Sequence, residues 1–209
     1  VTPEEFAAAA NVSRETLERL KAMDRVLIDW SSRHNLVARS TMDERWRRHY
    51  LDAAQIAPLL PKDAKTLVDL GSGAGFPGLV LAAMLAEKDV HVTLIESTGK
   101  KAAFLSEAGR AMGLQNLQVI PARIEAVKLP SPPDIITARA LARLDKLLGY
   151  GHGIAGKNTK YFFAKGQDVE GELTQAAKSW HMEVIRHPSI TSPDGTILEI
   201  GNLRRVNDR

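Results

Sequence analysis

The chain has 209 residues, 44% of them apolar and 25% charged, which suits one large domain or a domain with a helical extension. Twenty-eight Lys and Arg against 25 Asp and Glu leave a formal net charge of +3, so any surface for an anionic partner must be local. The absence of cysteine excludes a disulfide framework, a Cys-ligated zinc or iron–sulfur centre and a thiolate nucleophile.

No apolar run approaches the ~20 residues of a membrane span. The opening Val1-Thr2-Pro3-Glu4-Glu5 lacks the basic region of a signal peptide, so the expected compartment is the cytoplasm. Residues 1–62 read as a helical extension. Leu17, Leu20, Met23, Leu27 and Trp30 recur at steps of three and four and form one apolar stripe, with Ser13 as its N-cap. A second helix is expected to start at Thr41, because Thr41-Met42-Asp43-Glu44 has capping-box spacing. Trp46, Tyr50, Ala53 and Ala57 then share a face, as core residues rather than base-stacking platforms.

From residue 63 the period changes. Residues 66–70 form a short apolar run that ends in Gly71-Ser72-Gly73-Ala74-Gly75-Phe76-Pro77-Gly78, followed by a buried helix over 79–85. Strands are predicted over 90–95, 118–120, 134–137 and 161–164, with helices between them. The helix over 98–112 stops at Gly113. Alternating strands and helices imply a parallel sheet. The end differs: a strand over 183–186, a Ser192-Pro193-Asp194-Gly195 turn and a strand over 196–203 predict an antiparallel C-terminal hairpin. The fold class is therefore α/β, a Rossmann-like, mostly parallel seven-stranded sheet over 63–209 with the helical extension packed on it.

The glycine turn lies between the first strand and a helix, where glycines let the backbone turn sharply and approach a ligand. The next strand ends at Glu96, whose carboxylate can accept both ribose hydroxyls of a nucleoside. Dinucleotides and S-adenosyl-L-methionine both use this geometry. Gly73-x-Gly75-x-x-Gly78 satisfies the dinucleotide fingerprint. Asp69, two residues before Gly71, suits the D-x-G-x-G-x-G form associated with S-adenosyl-L-methionine, whose sulfonium an acidic turn can help hold. A tight strand–helix turn with no ligand is a third reading, against which stands the unfolded-state entropy of closely spaced glycines.

Methyl transfer from a sulfonium is an in-line displacement that demands orientation and a nucleophilic acceptor. Carbon-5 of a pyrimidine needs a covalent nucleophile, usually Cys. Exocyclic amines are often served by an Asn/Asp-Pro-Pro-Tyr/Phe box after the fourth strand. Here that strand continues as Ala138-Arg139-Ala140, and Pro132-Pro133 precedes it. Guanine N7 has a free lone pair at neutral pH and needs only placement. Arg139, at a strand C-terminus on the usual ligand side, can meet a cofactor carboxylate, a phosphate or a guanine edge. A surface ion pair is the plain alternative. Lys165 follows the fifth strand on the same side.

Residues 33–49 carry Arg33, Arg39, Arg45, Arg47 and Arg48 against Asp43 and Glu44, with His34 and His49 besides. Lys100-Lys101 opens the helix after Glu96. The tail offers Arg204, Arg205 and Arg209 against Asp208. Such runs are usually solvated faces, but three of them converging on the cofactor edge would meet phosphates. Arg45, Arg47, Arg48, His49, Lys100, Lys101 and Lys165 are the candidate RNA contacts. The six histidines show no metal-ligand spacing, so no metal is expected.

Taken together, Arg48-His49-Tyr50-Leu51-Asp52, Val68 through Gly78 with its Gly-Phe-Pro-Gly end, Glu96, Gly99-Lys100-Lys101-x-x-Phe104-Leu105, Arg123-Ile124-Glu125, Arg139-Ala140 and Lys165-Gly166 carry a resemblance over most of the chain. The sequence resembles the RsmG (GidB) family of bacterial ribosomal-RNA methyltransferases. It departs from the family pattern at Ala53, where Ser usually follows the Arg-His-x-x-Asp motif. The resemblance implies methylation of guanosine N7 in the 530 loop of 16S rRNA, with S-adenosyl-L-methionine as donor and S-adenosyl-L-homocysteine as product. It implies cofactor contacts at Gly71, Phe76, Ile124, Glu125 and Arg139, beside Asp69, Gly73, Gly75 and Glu96 from the turn and strand-end reading. Arg139 is the candidate catalytic residue. The substrate is expected as rRNA within the 30S subunit or a precursor, and the enzyme as a monomer with no membrane partner. Loss of the activity in the family is associated with low-level streptomycin resistance. A dinucleotide-dependent oxidoreductase and a non-catalytic RNA-binding assembly factor on the same fold remain the alternatives.

Overall fold

A computed structural model describes residues 1–207; Asp208 and Arg209 lie outside the described residues. Helices α1 (Pro3–Ala10) and α2 (Arg14–Ser31) open the chain. Thr2 and Glu5 close a capping box on α1. Ser13 caps α2 as its sequence predicts, accepting from the Thr16 amide at 3.1 Å. The second predicted helix does not start at Thr41. Residues Arg39–Thr41 form a 3-10 turn, Trp46–Leu51 a π-helical turn, and only Asp52–Ala54 (α3) is α-helical. The Thr41 hydroxyl donates to the Ala38 carbonyl at 2.7 Å and meets His49 at 2.8 Å, so it is not free to cap. Aromatic packing overrides local propensity here: Trp46 and Tyr50 stack at 4.2 Å, and Phe6 covers both.

The remaining elements are β1 (Thr66–Leu70), α4 (Gly78–Met84), β2 (His91–Ile95), α5 (Gly99–Ala111), β3 (Leu117–Ile120), β4 (Ile135–Arg139), α6 (Leu144–His152), β5 (Lys160–Lys165), α7 (Val169–Ala176), β6 (Trp180–Pro188) and β7 (Thr196–Arg205). Gly113 ends α5 at φ +66°, as a C′ glycine does. The sheet runs β3-β2-β1-β4-β5-β7-β6, parallel except for β7 against β5 and β6. The predicted hairpin is present and longer than its apolar pattern, because β7 passes beyond β5 to pair with the start of β6.

Alternation along β1 divides the core. Leu67 faces a cluster built with Phe6, Leu20, Leu79 and Phe104, so the N-terminal helices share one core with this sheet face. Val68 and Leu70 face the other cluster, with Leu147, Leu148 and Phe163. Helices on both faces of a mostly parallel sheet leave a crevice at the strand C-termini between β1 and β4, where the chain reverses direction across the sheet. No helix of the described residues is long and apolar enough to cross a membrane.

Candidate active site

The turn after β1 supports the crevice. Gly73 and Gly75 adopt φ +53° and +89°, a region costly for other residues. The Gly75 amide donates to the Ser72 carbonyl at 2.7 Å, and the Ser72 amide to Ile95 at the end of β2 at 3.1 Å. Beneath it, Asp69 and Thr137 are register partners on neighbouring strands. The Thr137 hydroxyl donates to Asp69 Oδ1 at 2.7 Å. Complete burial pushes the Asp69 carboxyl up to about 6, opposed by hydrogen bonding from Thr137 and Ser72 and by the Arg139 charge. Asp69 therefore supports the turn from below and is absent from the lining of the cleft above it.

That cleft, about 490 Å³, is lined by Gly71, Gly73, Phe76, Glu96, Lys101 and Arg139, with His49 and residues 36–38 from the N-terminal segment. Glu96 Oε2 accepts from the Gly73 amide at 2.8 Å and Oε1 from the Thr98 amide at 3.0 Å. A carboxylate has about four acceptor positions, so two remain for vicinal hydroxyls. The missing side chain at Gly73 leaves the floor open, since an added Cβ meets nothing nearer than the Gly71 carbonyl at 3.9 Å. These groups fit a nucleoside with a charged amino-acid end. Ile124 and Glu125 sit in a 3-10 turn after β3, beyond the cleft lining; Ile124 is buried and Glu125 exposed.

Arg139 ends β4. Its Nη1 donates to the Arg48 carbonyl and to Asp52 Oδ2, each at 3.3 Å, and its Nη2 to His49 Nδ1 at 3.1 Å. The guanidinium lies 5.4 Å from the centroid of Phe76, on which the His49 ring also stacks. An arginine has no acceptor, so His49 Nδ1 must accept and its proton lies on Nε2, directed at Thr41. Burial first, then the Arg139 charge, lowers the His49 pKa to about 4, so the imidazole is neutral at pH 7.

A second cleft of about 520 Å³ adjoins the first over the ends of β4, β5 and β7. Arg139, Ala140 and Leu141 line both. One pocket fits a nucleoside cofactor, and its neighbour shares with it a single fixed cation.

A profile of the family described as rRNA small subunit methyltransferase G matches residues 16–199. The chain belongs to this family. The ribosomal RNA small subunit methyltransferase G of Rhodospirillum rubrum is 47% identical over 207 residues, covering 99% of this chain and 100% of the relative. That of Paramagnetospirillum magneticum is 47% identical over 203 residues and covers 97% of each chain. Solved structures share the fold at low identity. They include a ribosomal protein L11 methylase from Lactobacillus delbrueckii (TM-score 0.59, 15% identical, 74% of this chain and 78% of that one). A SAM-dependent methyltransferase from Aquifex aeolicus aligns at TM-score 0.58 and 18% identity, over 75% and 92% of the two chains. The glycopeptide N-methyltransferase MtfA complexed with S-adenosyl-L-methionine aligns at TM-score 0.58 and 10% identity, over 73% and 93%. Family membership makes the chain an S-adenosyl-L-methionine-dependent rRNA methyltransferase, so the dinucleotide alternative falls, and the solved structures add only the Rossmann-like fold.

Within this family frame the basic residues separate. Arg47 and Arg48 are exposed and Arg48 lines the second cleft, Lys100 is exposed at the start of α5, and Lys101 lines the first cleft. Two lysines in the first turn of a helix oppose its dipole, so they do not stabilise that helix end. Arg45 differs: its Nε and Nη2 pair with Asp24 at 2.6 and 2.8 Å, tying the π-helical turn to α2. Lys165 is also committed, to Glu172 at 3.0 Å and the Ala142 carbonyl at 2.8 Å, with its side chain 7% exposed. Both cations are thus held by internal carboxylates, and Lys165 also lines the second cleft. Arg204 and Arg205 do not converge on the site; antiparallel β7 carries them beyond the start of β5, at the opposite end of the strands. Arg209 lies outside the described residues. Ala53 is 1% exposed in the apolar core, so no hydroxyl from position 53 reaches the site.

Lys165→Ala leaves Glu172 buried with one amide partner, Leu144. The expected loss is about 3 kcal/mol of unfolding free energy, read from urea denaturation.

Proposed function

We propose that this enzyme methylates N7 of a guanosine in the 530 loop of 16S rRNA, within the 30S subunit or a precursor. The observation that carries this reading is the absence of a free general base at the junction of the two clefts among the described residues. His49 has both ring nitrogens engaged, Asp52 accepts from Arg139, Gln55 and Thr191, and Glu96 accepts two amides. An acceptor that must lose a proton would need such a base. Guanine N7 already presents its lone pair and needs orientation alone.

S-adenosyl-L-methionine, when bound, supplies an electrophilic methyl group on its sulfonium. The chain's residues then have distinct tasks. Gly71, Gly73, Gly75 and Phe76 shape the cofactor-side cleft, Asp69 supports the turn from below, and Glu96 accepts the ribose hydroxyls. Ile124 and Glu125 flank the adenine end. Arg139 holds the methionine carboxylate or the incoming guanine edge where the clefts meet. Arg47, Arg48, Lys100 and Lys101 are available to phosphates around the opening.

The test is radiolabelled methyl transfer from S-adenosyl-L-methionine to undermethylated 30S subunits and to protein-free 16S rRNA, followed by nucleoside analysis. The expected product is N7-methylguanosine, in 30S subunits or their precursors. Label in any other nucleoside overturns the N7 reading. Unlabelled rRNA in both substrates overturns the proposed substrate.

A further inference from the structure

The connection between β6 and β7 is tied to the N-terminal segment rather than to the sheet alone. The Ile190 amide donates to Gln55 Oε1 at 2.8 Å, and Gln55 Nε2 meets Ser189 Oγ at 3.2 Å and Asp52 Oδ1 at 3.0 Å. The Thr191 hydroxyl donates to Asp52 Oδ1 at 2.6 Å. Ser189 and Thr191 hydroxyls lie 3.0 Å apart. With the Thr191 O–H directed at the carboxylate, Ser189 is the donor of that pair. Asp52 is thus shared: one oxygen is held by Thr191 and Gln55, and the other faces Arg139 at 3.3 Å.

We propose that Thr191, acting through Asp52, is a positioning residue that sets the orientation of Arg139 at the junction of the two clefts. The inference rests on the role given to Arg139 above but not on the identity of the methylated base. The distances state the mechanism. Asp52 makes its short bond to a neutral hydroxyl and its long one to the cation, although an unrestrained carboxylate would close on a guanidinium to about 2.8 Å. Thr191 therefore holds Asp52 back. Arg139 keeps its other bonds to the Arg48 carbonyl and to neutral His49, and its guanidinium stays over Phe76. Ala140, at φ +52°, turns the chain immediately after Arg139, so the backbone there has little freedom to compensate. Without the hydroxyl, Asp52 closes on Arg139 and draws it towards the N-terminal segment, away from the reacting groups.

The test compares Thr191→Val with Thr191→Ser in methyl transfer to undermethylated 30S subunits. Rates are normalised to the fraction of enzyme that binds S-adenosyl-L-methionine by calorimetry, so partial misfolding does not register as slow catalysis. Label is counted in total rRNA, so a base other than guanosine refutes the N7 reading and leaves this comparison intact. The Val variant is expected to lose about tenfold in kcat, with KM for both substrates within about twofold. The Ser variant is expected at the wild-type kcat. In an Asp52→Asn background Thr191→Val should add little, because both act through one group. A Val variant with wild-type kcat overturns the proposal. So do Val and Ser variants that are equally slow, or a Val effect that survives undiminished in the Asp52→Asn background.

Discussion

Arg139→Ala is expected to lower kcat for methyl transfer to undermethylated 30S subunits by about 100- to 1,000-fold, the usual effect of removing a preorganised charged donor. Among the described residues the guanidinium is the one cation on the wall shared by the two clefts, and three acceptors from 48–52 fix its plane. Arg139→Lys should fail almost as badly. A lysine is a point charge on a flexible stem and cannot serve three separated acceptors at once. Affinity for S-adenosyl-L-methionine by calorimetry should fall by about 10- to 100-fold if the guanidinium holds the methionine carboxylate, the worth of one charge-assisted hydrogen bond. Thermal stability should change little, since Asp52 keeps Thr191 and Gln55 as partners. A variant within fivefold (about 1 kcal/mol) of the wild-type rate would remove Arg139 from the reaction.

Gly73→Ala and Gly78→Ala are expected to reverse each other's ranking in binding and stability. A Cβ at Gly78 would lie 2.4 Å from Leu94 Cδ2 and 2.7 Å from Asp69 Oδ2, inside the packed helix–strand contact. Overpacking there should cost about 2–3 kcal/mol, or roughly 5–10 °C in Tm for a domain of this size. A Cβ at Gly73 meets no such obstacle. Its φ of +53° costs an alanine about 1 kcal/mol. The methyl, however, stands on the floor of the cofactor-side cleft, so S-adenosyl-L-methionine affinity should fall by about tenfold or more. Thermal denaturation beside calorimetry on both variants measures the contrast. Wild-type affinity in Gly73→Ala would show that the ligand does not rest on that floor.

Much of this architecture is readable from local pattern. The β1 run, the glycine turn and Glu96 at the end of β2 follow from short-range rules, because strand period, glycine freedom and strand-end position are local properties. Other features mislead for the same reason. Thr41-x-x-Glu44 has the spacing of a cap, yet Thr41 is used by His49 and Ala38, and Glu44 sits near Arg48 at 3.9 Å. Arg45 and Lys165 read as free cations, since nothing nearby in sequence neutralises them as fully as Asp24 and Glu172 do in space. Thr191 and Gln55 carry no motif at all, and their link to Asp52 crosses 139 positions in the case of Thr191.

By itself, then, the sequence determined the alternation of strands and helices, the glycine turn after β1, the cysteine-free chemistry and the placing of Arg139 at a strand end. Each depends on residue type and spacing within a few positions. Only the tertiary structure decided the tautomer of His49, the burial of Asp69 beneath the turn, the separation of paired from available cations and the sharing of Asp52 between Thr191 and Arg139. Those depend on which groups meet after the N-terminal segment, β4 and the β6–β7 connection have converged. Hydrogen-bond partners and desolvation, unlike periodicity, exist only in that assembled state.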